Sequence, residues 1–173
     1  QRRGIAVSWT PDAVTMAVAE LTIGLMLDIT RYVGSSNLGF RNFLWKRQYG
    51  FRLGNCVIGL IGFGRIGSNV AQLLLSFSPK EILVYDSQNK VREIEKLREL
   101  GLNIRATSIE KVIKSSNIIS LHVPLYDKTW KLIGRSEITA MQKGTFLVNT
   151  SRGGIIDEAA LHDALFNDHL GGA

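Results

Sequence analysis

Short continuous apolar runs alternate along most of the chain with segments whose apolar residues recur every three or four positions. Such runs predict buried strands, and the spaced segments predict amphipathic helices. Strands are expected over 56–61, 82–85, 104–106, 118–123 and 145–149. A helix over 66–77 would turn Ile66, Val70, Leu73, Leu74 and Phe77 inward. A second over 90–100 would bury Val91, Ile94 and Leu97 and close at Gly101. Ser108 should cap a short helix carrying Ile109, Val112 and Ile113. Another is expected over 135–141, and Asp157 should cap a last one with Leu161 and Leu165. A further strand is expected where the chain reaches Gly171, Gly172 and Ala173. Buried strands alternating with helices predict a doubly wound parallel sheet in a three-layer α/β/α domain.

The first 54 residues read differently. Ile5, Ala6 and Val7 suggest a short strand. Thr10, Pro11 and Asp12 suggest a helix start, with Thr10 as N-cap and Pro11 in the first turn. That helix should run to about Tyr32, with an apolar stripe of Val14, Val18, Leu21, Leu25 and Ile29. Met16, Ile23 and Leu27 fall off the stripe, so a second buried side is expected, against another domain or a partner subunit. Residues 34–54 should form an irregular aromatic arm with room for one short helix. The domain is therefore divided into an arm region, 1–54, and a core, 55–173.

Composition adds limits. Apolar residues are 45% and charged residues 21% of the 173, ordinary for one soluble globular domain. Cys56 is the single cysteine, so no disulfide forms within the chain, which fits a cytoplasmic setting. The run from Met16 to Ile29 is interrupted by Glu20 and Asp28 and is too short and polar to span a bilayer, so no membrane partner is expected. The chain begins with Gln rather than Met, and a native start is not expected there. Net charge is +6, and no acidic residue falls between Asp28 and Glu81. Basic and aromatic residues interleaved in that span could mark nucleic acid. A solvated arm whose field favours an anionic cofactor is the reading adopted, with no nucleic-acid partner.

The chemistry gathers at predicted strand ends. Gly62, Gly64 and Gly67 fit G-x-G-x-x-G directly after a strand and at the start of a helix. Gly62 permits a tight turn, Gly64 admits a pyrophosphate to the backbone, and Gly67 lets helix and strand approach closely. The helix N-terminus favours phosphate, and Arg65 adds a formal charge. Asp86, 19 residues beyond Gly67, ends the next predicted strand. An acid there accepts bonds from ribose hydroxyls and repels a 2′-phosphate, predicting a Rossmann-type fold that binds NAD rather than NADP. No metal-ligand cluster is expected. His122 and Pro124 end the 118–123 strand, and Pro124 should leave the last carbonyls unpaired. Arg152, followed by Gly153 and Gly154, sits just past the 145–149 strand, and its fork matches a carboxylate.

Five stretches together resemble the D-isomer-specific 2-hydroxyacid dehydrogenases. They are Thr10–Asp12 with Ala19–Thr22, Gly62–Gly67, Asp86, Ser120–Leu125 and Asn149–Asp157. The resemblance implies that Arg152 grips the substrate carboxylate and is catalytic. It implies that Arg65 and Ile66 meet the pyrophosphate and Asp86 the ribose. Val123, Thr150 and Ser151 would line the nucleotide pocket, with His122, Pro124 and Thr129 in the same cofactor set. The family's His–Glu acid/base pair would lie downstream of this chain, its substrate domain would be absent, and His162 and His169 receive no catalytic role. The fragment alone should be inactive. The long helix and arm resemble a homodimerisation segment. The intact protein is expected to transfer hydride between NAD(H) and a D-2-hydroxy acid, phosphoglycerate dehydrogenase-like among the substrate classes. An NAD-sensing corepressor-type module is the alternative. Tyr126 stands where a small polar residue is usual, and Ser8–Trp9 where Asn is common.

Overall fold

The computed structural model describes residues 4–6, 8, 10 and 12–173. The expected roles of Val7, Trp9 and Pro11 therefore lie outside the described residues.

Six strands form one sheet: β1 (Val57–Ile61), β2 (Glu81–Tyr85), β3 (Ile104–Ala106), β4 (Ile118–Leu121), β5 (Thr145–Asn149) and β6 (Leu170–Gly172). Their order is β3-β2-β1-β4-β5-β6, and every pairing is parallel. Winding outward in both directions from β1 and β4 makes their boundary a switch point, where such sheets bind ligands beyond the strand ends. The expected three-layer domain is present, including the terminal strand.

Alternation along each strand fills two cores. Ile58, Leu60, Ile82, Val84 and Ile118 meet α1 (Thr15–Arg31), α3 (Arg65–Leu74) and α4 (Val91–Glu99). Ile61, Leu83, Ile119, Leu121 and Leu147 meet α5 (Ile109–Ser115), α6 (Arg135–Ala140) and α7 (Glu158–Phe166). The caps follow the local chemistry: Ser108 accepts from the Lys111 amide, and Asp157 accepts from the Ala159 and Ala160 amides.

Several expectations need correction. Ile5 and Ala6 are not in a strand. The first helix starts at Thr15, not at Thr10, because Thr10 and Asp12 carbonyls accept from Ala13 and Thr15 in separate turns and Val14 occupies the cap. Its buried residues are Thr15, Ala19, Thr22, Ile23, Met26 and Thr30, and of the expected stripe Leu25 and Ile29 pack partly against the core. Small and hydroxylated residues let α1 lie close on α3 and β5, while Val14 and Leu21 stay exposed. Thr22 and Thr30 are accommodated because each hydroxyl donates to a carbonyl one turn back, Val18 and Met26. Val91 is also exposed, since α4 begins there and only Ile94 and Leu97 reach the sheet. The fourth strand stops at Leu121 rather than Val123.

The arm contains α2 (Val33–Arg41), entered through Tyr32 in the left-handed conformation. Phe40 and Trp45 meet edge to face, with centroids 5.2 Å apart. Phe43, Trp45 and Tyr49 remain largely exposed. Phe51 returns the chain to the core: its amide donates to Thr30 O and its ring packs edge-on against Phe146.

Candidate functional site

The site is built at the carboxyl ends of β1, β2, β4 and β5. β1 ends at Ile61, and the backbone turns at Gly62 with φ +94°. A Cβ on Gly62 would lie 2.5 Å from the His122 carbonyl oxygen, and one on Gly67 would collide with the Gly62 carbonyl oxygen. Only glycine permits both the handedness of this turn and the contact of α3 with it. A Cβ on Gly64, by contrast, would meet nothing within 4 Å, so this backbone is open to approach. Gly64 caps α3 without a side-chain bond, leaving the first N–H groups unclaimed by a protein side chain. These are the properties an anion-binding loop needs.

Asp86 follows β2. Its Oδ2 accepts from the Phe63 amide at 2.6 Å and its Oδ1 from the Gln88 amide at 2.8 Å. The carboxylate is thus pinned between its own turn and the glycine loop. The sequence marked Asp86 as a ribose acceptor but carried no sign of this second job, which ties two βα loops together. Phe63 itself is buried in the core.

A cleft of about 460 Å³ opens here, large enough for part of a nucleotide. It brings together Gly62, Gly64, Asp86, His122, Val123, Pro124 and Thr129 of the expected set. It also adds Tyr85, Tyr126 and Lys128, which the sequence did not assign to the cofactor. The cleft lining does not include Arg65, Ile66, Gly67, Thr150, Ser151 or Arg152. Arg65 is exposed and 3.4 Å from Asp12, while Ile66 packs partly on the core and Gly67 lies beneath the loop. A second cavity of about 510 Å³ lies in the crease of the arm beside Phe40 and Trp45, away from the strand ends. The site is assigned to the carboxyl ends of the strands because the glycine loop and Asp86 converge there.

The carbonyls around Pro124 are met by side-chain hydroxyls at two places. Leu121 O accepts from the Ser151 hydroxyl, and Pro124 O accepts from the Thr129 hydroxyl at 2.6 Å. Thr129 is buried and also accepts from the Tyr126 amide, at 2.9 Å. Thr129 and Ser151 thus brace the loops after β4 and β5. Thr150 is held by Thr22: the Thr22 proton goes to Val18 O, so Thr150 donates to the Thr22 oxygen, at 2.9 Å. A threonine on a helix face gave no hint of this contact, which joins the end of β5 to α1.

Arg152 is exposed, and its Nη1 donates to Ser151 O at 2.7 Å. The Asn149 amide group donates to Arg152 O, and Asn149 Oδ1 accepts from the Ser151 amide. Gly154 has φ +78°, and a Cβ there would collide with the Trp130 ring. The loop is further pinned by the Lys131 amide on Gly154 O and by the Lys131–Asp157 ion pair. Lys131 also holds the Asp157 carboxyl below its usual range. His122 Nε2 lies 3.0 Å from Ser120 Oγ, and burial pushes its pKa down to about 4. His169 Nε2 meets Ile138 O and His162 is exposed, both remote from the cleft. Burial raises the pKa of Cys56, whose thiol lies in the core. Among the described residues no cluster suits a metal ion, and no helix is long and apolar enough to cross a membrane.

Comparison with known proteins agrees with this geometry. Residues 23–173 match the family model for the D-isomer specific 2-hydroxyacid dehydrogenase, NAD binding domain. A glyoxylate reductase of Aeropyrum pernix is 40% identical over 95% of this chain and 50% of its own length. The D-3-phosphoglycerate dehydrogenase of Bacillus subtilis is 34% identical over 99% of this chain and 32% of its own. The chain spans half or less of these curated relatives. Among solved structures, the TT0316 protein from Thermus thermophilus superposes with a TM-score of 0.87 at 35% identity, covering 99% of this chain and 53% of that one. The NAD-complexed D-isomer specific 2-hydroxyacid dehydrogenase from Lactobacillus delbrueckii ssp. bulgaricus gives 0.83 at 27% identity, covering 94% and 50%. The chain belongs to the family of NAD-binding domains of the D-isomer specific 2-hydroxyacid dehydrogenases.

Proposed function

We propose that this chain serves an oxidoreductase that interconverts a small D-2-hydroxy acid and its 2-keto acid. The observation that carries the reading is the open Gly64 backbone beside a carboxylate fixed on the same loop. Gly62, Gly64, Arg65, Ile66 and Gly67 would hold the pyrophosphate, and Asp86 the adenosine ribose. Val123, Pro124, His122 and Thr129 would shape the nucleotide cleft, and Thr150 and Ser151 the region toward the nicotinamide. NAD(H) supplies the hydride. Arg152 would bind and orient the substrate carboxylate through its planar fork, and its positive charge would stabilise negative charge developing on the carbonyl oxygen.

The relatives are named for glyoxylate and phosphoglycerate, both within this acid class. A phosphoglycerate dehydrogenase-like substrate remains our choice within it. The chain spans half or less of these relatives, and the proton donor and a substrate-binding domain are assigned to the part of their length that it does not cover. The exposed aromatic arm and the outer side of α1 are assigned to a homodimer contact, and the lone buried Cys56 fits a cytoplasmic enzyme. No observation favours the corepressor alternative.

Calorimetric titration with NADH and with NADPH tests the reading. Tighter binding of NADH, lost in Asp86→Ala, is expected. Equal binding of both, or retention of the preference in Asp86→Ala, would contradict it.

A further inference from the structure

Ser120 and His122 stand two residues apart at the end of β4. Ser120 falls on the same side of the strand as Ile118, the side that faces α3. It is fully buried, and its hydroxyl has one partner among the described residues, His122 Nε2 at 3.0 Å. Nδ1 of the same ring is inaccessible and has no hydrogen-bond partner among the described residues. The ring edge lies against the first turn of α3: a Cβ on Gly67 would sit 3.6 Å from His122 Cδ2.

Counting protons selects the tautomer. If Nε2 carried the hydrogen, it would donate to Ser120. The serine proton would then have no acceptor, and Nδ1 would be a bare acceptor, leaving two groups unmet. If Nδ1 carries it, Ser120 donates to Nε2 and one donor remains. Buried groups without partners are costly, so the second arrangement wins. The low pKa, about 4, keeps the ring neutral near pH 7.

We propose that His122 is a positioning residue of the dinucleotide site, held by Ser120 in its Nδ1–H tautomer so that this N–H donates to the bound dinucleotide beneath the glycine loop. The inference rests on the NAD reading above. His122 lines the cleft while its Nδ1 is covered, so Nδ1 reaches the dinucleotide only with a small shift of ring or loop on binding.

The test uses this chain with NADH. Asparagine places an amide nitrogen where Nδ1 stands, whereas glutamine reaches the place of Nε2. His122→Phe and His122→Gln should weaken NADH about tenfold, and His122→Asn should stay within about threefold of the wild type. Nitrogen NMR of the unaltered protein should show Nδ1 protonated and Nε2 not, with the Nδ1 signal moving on NADH addition. The reverse tautomer, an unmoved Nδ1 signal, or NADH affinity unchanged in His122→Phe would overturn the proposal while leaving the NAD reading intact. Unaltered protein that binds no NADH would overturn both. The NMR arm needs no variant, so it decides the question even if a substitution unfolds the chain.

Discussion

Phe63 and Phe43 are the same side chain in opposite circumstances. Phe63 sits between the first two glycines of the loop and is 1% exposed, whereas Phe43, in the arm, is 98% exposed. The glycine loop buries Phe63 in the core and leaves the Gly64 backbone beside it bare. The arm does the reverse and holds Phe43, Trp45 and Tyr49 outward. Apolar area is worth roughly 25 cal/mol per Å² when removed from water, so an exposed cluster of rings adds little to the stability of this chain alone. The contrast separates residues that fold the domain from residues available to a second surface.

Disturbing the loop should have the largest effect. Gly62→Val meets both a positive φ and the His122 carbonyl, and we expect a loss of about 3–5 kcal/mol in denaturant unfolding together with loss of NADH binding. A stable, NADH-binding variant would show that the loop tolerates a different path.

The next effect is set by pH. The folded-state pKa of His122 is depressed, so the unfolded chain binds the extra proton between its own value of about 6.5 and the folded value of about 4. Stability therefore falls as pH drops through that window, by up to about 3 kcal/mol, and this term is constant below it. His122→Asn should flatten the slope between pH 6.5 and 4. Asp157 and Asp163, lowered by Lys131 and Arg135, lose their contribution only at more acidic pH. An unchanged slope in the variant would place the proton uptake elsewhere.

Smaller effects should come from the joint between the regions and from the arm. Thr22→Val removes the partner of Thr150 and should cost about 1–2 kcal/mol by thermal unfolding, with no change in the arm. Phe43→Ser should change the stability of the single chain by less than about 0.5 kcal/mol. If the arm forms the homodimer contact, sedimentation in the analytical ultracentrifuge should nevertheless show weaker self-association in that variant.

The same division explains what could be read from the sequence. In the core, β1 and β2 are apolar runs bounded by Gly62 and Asp86, so both their existence and their ends carried a local signal; β4 was legible as a run, but it stops at Leu121, two residues short of the end that Pro124 suggested. Ser108 and Asp157 likewise declared their helices through capping chemistry. The first helix misled because its buried face is made of Ala19, Thr22, Met26 and Thr30 while Val14 and Leu21 face outward. Hydrophobicity cannot pick the inner side of a helix apolar on several sides. Gly62, Gly64 and Asp86 were legible as cleft residues because they fall in a G-x-G-x-x-G loop and at the end of the strand after it; the backbone itself demands glycine at Gly62, with φ +94°, and not at Gly64. The bonds between Asp86 and Phe63, between Thr22 and Thr150 and between Ser151 and Leu121 were not, since each joins residues far apart in sequence. The collision that keeps a side chain off Gly154, against Trp130, is of the same kind.

A chemical-shift map of this chain as NADH is added would decide where the cofactor sits. The largest changes are expected at Gly62–Gly67, Asp86 and 122–129, with the arm from Val33 to Tyr49 unmoved. Changes concentrated in the arm, or none at saturating NADH, would contradict the assignment of the cofactor to the carboxyl ends of the strands.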